Sequence, residues 1–100
     1  MSVLAEFSIV PLGKGESLSP YVARAVRIVK DSGLKHAFHA MGTEIEGESF
    51  AQVCEVIGRC LAELHTDCDR VSVSIKIDSR PGRTGQLAGK VASVRKLLSD

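Results

Sequence analysis

Residues 69–78 read DRVSVSIKID, in which Val71, Val73, Ile75 and Ile77 alternate with Ser72, Ser74 and Lys76. A period of two with branched apolar residues on one side only specifies a strand with one buried and one polar face. Upstream, Ser49 and Gln52 have the spacing of a capping box, and Phe50, Val53, Ile57, Leu61 and Leu64 trace a helical stripe behind it. Before that lie two short stretches, His36 to Met41 and Thr43 to Gly47, both read as strands. Gly42 joins them, which suits a hairpin or a bulged turn with positive φ. Val22, Ala25, Val26 and Val29 share one face of an earlier helix, with Ser19 as the expected N-cap, Pro20 in the first turn and Gly33 as the stop. Val3 to Val10 alternates again as a first strand. Downstream, Arg80 to Gly85 reads as a loop, and Leu87, Val91, Val94 and Leu98 mark a last helix.

The order is therefore βαββαβ plus a C-terminal helix. Strands that each need cover on one side, with two long helices between them, predict an α+β fold: a ferredoxin-like two-layer sandwich, one domain over residues 1–100. In that topology the first and third strands are central and the last flanks the first. Glu6, Ser8, Glu44, Glu46, Ser72, Ser74 and Lys76 are then expected together on the sheet face away from the helices.

Composition narrows the function classes. The 100 residues are 44% apolar and 25% charged, ordinary for a packed domain and unlike a disordered chain. Thirteen basic against twelve acidic residues leave a charge of +1, which argues against binding nucleic acid chiefly by phosphate neutralisation. No apolar run reaches the roughly 20 residues that cross a bilayer, and no leader pattern opens the sequence, so a cytoplasmic location and no membrane partner are expected. Three cysteines, Cys54, Cys60 and Cys68, form no even disulfide framework and no paired C-x-x-C. They read as reduced thiols in or near the core, with Cys54 and Cys60 on the helix stripe. No metal site is expected of them.

Glu6, Glu44 and Glu46 on one face raise each other's pKa and favour a cation or a hydrogen-bonded amine, or else form a solvated face with Lys76 as partner. Gly13-Lys14-Gly15 lacks the end of a phosphate loop and reads as a turn. Arg80, Arg83, Thr84 and Gly85 either hold a phosphate or carboxylate at the start of the last helix or form a solvated basic loop. No nucleophile and no catalytic group is assigned.

Several runs together resemble the thiamine-binding-protein family of the YkoF-like superfamily. They are Pro11-Leu12-Gly13, Ser32-Gly33-Leu34, the stretch MGTEIEGE over residues 41–48, Ile75-Lys76-Ile77-Asp78 with Arg80, and Lys90-Val91 with Ser93-Val94. The resemblance implies a non-catalytic binding protein that assembles into homodimers or homotetramers. It also implies a pocket for thiamine or its hydroxymethylpyrimidine part, with no other cofactor. Carried over by position it points to Gly42, Thr43, Glu46, Lys76 and Arg80; the face geometry adds Glu6 and Ser8. His36 stands where such relatives commonly have an aromatic residue, and Ala40 where they often have proline. Glu46 is the expected acceptor for an aminopyrimidine, with Thr43 beside it.

The same element order suits an RNA recognition motif, whose sheet stacks bases on exposed aromatics, but only four aromatics exist and Phe7 falls on the core side. An acylphosphatase-like enzyme would need an arginine in a glycine-rich loop after the first strand, where only Lys14 is present. An oligomeric regulatory protein without a thiamine ligand is the remaining alternative.

Overall fold

The computed structural model describes residues 2–99. Its elements are β1 (Ser2–Leu12), α1 (Ser19–Asp31), β2 (Lys35–His39), β3 (Gly42–Gly47), α2 (Phe50–Leu64), β4 (Arg70–Arg80) and α3 (Gln86–Leu98). The four strands form one antiparallel sheet in the order β2-β3-β1-β4. This is the ferredoxin-like arrangement, with a third helix added.

Alternation along β1 sends Val3, Ala5, Phe7 and Ile9 to the side covered by α1 and α2, where they meet Val29, Val53, Ile57 and Leu64. Burial of these branched side chains, each contributing about 1.5–3 kcal/mol, drives the sandwich together. α2 begins as its capping box requires: the Ser49 hydroxyl accepts from the Gln52 amide at 3.1 Å, and the Gln52 side chain accepts from the Glu48 amide at 2.8 Å. Arg24 ties α1 to the end of α2 by donating to Glu63 and Asp67.

Three local expectations change. Leu18, not Ser19, is the N-cap of α1, with no side chain bonding the first turn, so Pro20 and packing carry that helix start. Gly42 does not have positive φ; it is a strand residue whose Cβ would stand 3.0 Å from the Phe7 carbonyl oxygen, so the close approach of β1 is what calls for glycine. The cysteines stand in or near the core as expected, Cys60 and Cys68 buried and Cys54 half-buried. Pro11, beyond the expected end of the first strand at Val10, lies inside β1. β3 reaches only Phe7, so beyond it β1 has β4 as its one neighbour and a missing N–H costs no ladder bond.

The largest difference concerns the face away from α1 and α2. It is not open along its whole length, because α3 lies against one end of it. Glu46 and Asp78 bond to α3 there, with Ser2 and Leu4 beside them in register, whereas Glu6, Ser8, Glu44, Ser74 and Lys76 stay in the uncovered part.

Candidate functional site

Register fixes what gathers on the uncovered part. Glu6 stands directly opposite Lys76 on β4 and opposite Glu44 on β3, and Ser8 is opposite Ser74. The two-residue turn at Ala40 and Met41 brings Met41, 84% exposed, over the edge of this group. Together Glu6, Ser8, Met41, Ser74 and Lys76, with Phe7 and Ile75, line a shallow cavity of about 150 Å³. It offers a carboxylate, two hydroxyls, an ammonium and a thioether. None of the four aromatic residues lies on this face. Phe7 and Phe38 occupy the helix-side positions of their strands, and Tyr21 and Phe50 belong to α1 and α2. The stacking platform that RNA recognition would use is thus missing from it.

Glu46 is separated from that group. It is buried under the N-terminus of α3, where one carboxylate oxygen accepts from the Ser2 hydroxyl at 2.5 Å and from the Gln86 amide at 2.7 Å, and the other accepts from the Leu87 amide at 3.2 Å. Burial pushes its carboxyl up; the Ser2 hydroxyl, the two amides and the nearby Lys35 charge outweigh this and hold it below the usual range. The first amides of a helix lack intrahelical partners, so a carboxylate supplied from another strand satisfies them and complements the helix dipole. Gly85, with φ +66°, turns the chain into this position.

Thr43 leaves the group for another reason. It pairs with Phe7 on the helix-covered side and is 5% exposed, so it and Glu46 point to opposite faces of one strand. Arg80 stands at the end of β4 opposite Ser2, and Gly42 at the other end of the sheet near Glu6 and His39. Of the residues expected to form one site, the structure brings together Glu6, Ser8 and Lys76, with Gly42 adjoining. It adds Met41, Ser74, Glu44 and His39, and places Glu46, Thr43 and Arg80 elsewhere.

The family model described as "Thiamine-binding protein" matches residues 5–95. The chain belongs to that family. Among its relatives, UPF0045 protein Mb1933 of Mycobacterium bovis is 45% identical over 98 residues, spanning 98% of this chain and 96% of that protein. UPF0045 protein MJ1052 of Methanocaldococcus jannaschii is 37% identical over 95 residues, and its crystal structure superposes with a TM-score of 0.84, covering 93% of this chain and 95% of that one. A candidate thiamine biosynthesis/salvage protein of Thermotoga maritima shares the fold at 20% identity, with a TM-score of 0.78 over 92% of this chain and 99% of that one. No described helix is long and apolar enough to cross a membrane.

Proposed function

We propose that this protein binds thiamine or its hydroxymethylpyrimidine part, without turnover, in the groove of Glu6, Ser8, Met41, Ser74 and Lys76. Membership of the thiamine-binding family supports the class of ligand. The groove supports the place. An aminopyrimidine offers an exocyclic amine to the Glu6 carboxylate and ring nitrogens to hydroxyl donors on Ser8 and Ser74, while Met41 gives a flat ring an apolar wall. Glu6 takes the acceptor role that the sequence suggests for Glu46, because the Glu46 oxygens already accept three hydrogen bonds.

One chain supplies only part of such a pocket: about 150 Å³ falls short of the roughly 300 Å³ at which small-molecule sites usually begin. The missing wall comes, in this reading, from a second copy joined along β4. That strand is one of the two outer edges of the sheet and pairs with β1 over eleven residues. Antiparallel pairing of two such edges with Ser74 on the two-fold axis sets Val73 against Ile75 and Val71 against Ile77 on the helix side. On the other side it sets Arg70 against Asp78. The exposed Val94, Leu97 and Leu98 of α3 offer a further apolar surface for pairing dimers into a tetramer.

Calorimetric titration with thiamine and with hydroxymethylpyrimidine tests the reading. Saturable heat is expected from the parent protein, and Glu6→Gln is expected to weaken binding by about tenfold to hundredfold, the equivalent of about 1.5–3 kcal/mol for a hydrogen bond to a charged group. Absence of heat at millimolar ligand, or equal binding by Glu6→Gln and Ser8→Ala, overturns it.

A further inference from the structure

The Glu6, His39 and Glu44 side chains converge on the uncovered face, and the thiamine groove uses only the first of them. The His39 Nε2 atom stands 3.3 Å from a Glu6 carboxylate oxygen and 3.4 Å from a Glu44 oxygen, and the three donor atoms lie within 4.8 Å of one another. One ring nitrogen thus reaches both carboxylates at once, and Gly42, the cross-strand partner of His39, places no side chain beside them.

The register adds an electrostatic reason. Glu6 and Glu44 are direct cross-strand partners and repel each other; Lys76, opposite Glu6 on β4, offsets this from one side, and a cation between the two carboxylates would do so directly. The other two histidines are occupied differently, each with Nδ1 on a nearby main-chain carbonyl, Leu34 for His36 and Cys68 for His65. His39 Nδ1 has only a 3.4 Å contact with the Met41 amide. That long contact is all that is given up when the ring carries its proton on Nδ1 and turns the Nε2 lone pair outward.

We propose that Glu6, His39 and Glu44 form a three-ligand site for a four-coordinate divalent transition metal of the zinc class, with water or a ligand atom in the fourth position. Imidazole among the donors disfavours calcium and magnesium, which prefer oxygen alone. One imidazole and two carboxylates leave the open position that structural four-residue sites lack. The site adjoins the groove through Glu6, whose cross-strand partner on β4 is the groove residue Lys76.

Titration of chelator-treated protein with Co²⁺, followed by visible absorption, tests this directly. One ion per chain is expected, with the intense bands of four-coordinate cobalt and no thiolate charge-transfer band. His39→Ala is expected to weaken binding beyond the about tenfold to hundredfold that outer-shell changes cost, and Glu44→Gln to weaken it as well. His36→Ala and His65→Ala should bind as the parent does. Thermal melting checks that the exposed His39 variant is folded. A parent that takes up no cobalt, a pale octahedral spectrum, a charge-transfer band from cysteine, or undiminished binding by His39→Ala each overturns the site. None of these outcomes depends on thiamine, and calorimetry on Ser8→Ala and Ser74→Ala tests the groove without touching a metal ligand.

Discussion

The Glu46 carboxylate accepts the Gln86 main-chain amide at 2.7 Å, across 40 residues of chain. With the Leu87 amide and the Ser2 hydroxyl, this makes one side chain the fastening for the start of α3, a helix that buries none of its own residues and is held further along by the Lys90–Asp78 ion pair. Glu46→Gln preserves size but turns an amide NH₂ toward donors. It should cost about 1–3 kcal/mol in chemical denaturation and raise hydrogen exchange at the start of α3 selectively. Equal exchange in parent and variant would show that α3 is held by other contacts.

Acid should loosen the same fastening. A carboxyl held low in the folded state contributes stability above its unfolded value and loses it as pH falls through the folded value. Asp78, lowered first by the Lys90 hydrogen bond, adds to this in the same direction. The melting temperature should stay level from neutral pH down to about pH 5 and then fall, and less steeply in Glu46→Gln. Parallel curves for parent and variant would remove Glu46 from the account.

Self-association should respond to the β4 edge. Ile75 is half-exposed on the helix side of that strand, and Ile75→Lys places a charge against Val73 of the second copy. Light scattering should then move from a multiple of the 10.7 kDa chain toward the single chain, with little loss of melting temperature. A parent already monomeric at tens of micromolar would rule out the joint.

Thiol chemistry should separate the three cysteines. Burial pushes the Cys60 thiol up to about 11, and its sulfur donates to the Ala25 carbonyl. Cys68 is raised as well, by burial first and then by Asp67. Only half-buried Cys54 should react with a neutral-pH alkylating reagent in the native protein, as read by peptide mass spectrometry. Prompt modification of Cys60 would mean that its surroundings open.

The sequence makes the elements legible because their periods are clean: βαββαβ follows from the alternation at 69–78 and the helical stripes. It also carries a conflict at Thr43 and Glu46. Three positions apart on one strand, they must face opposite sides, so a motif that names both cannot describe one pocket wall. What covers Glu46 is not legible, because the last helix contacts it from 40 residues away through backbone amides, which every sequence possesses. His39 is missed because its meeting with Glu6 and Glu44 depends on the hairpin register. Ser2 is missed because one hydroxyl at a strand end has no pattern of its own.

Pro11 has a consequence for how far the sheet can grow. Past Phe7 the inner flank of β1 is a second free edge, and a proline there withholds a donor from any strand that tries to fill it. The outer flank of β2 is only five residues long and carries Lys35, His36 and His39. β4 is then the single long edge able to accept a neighbour, and a two-fold joint uses it up in both copies. If two copies do join along β4, growth by edge addition ends at two chains, and the assembly closes rather than extending as a filament.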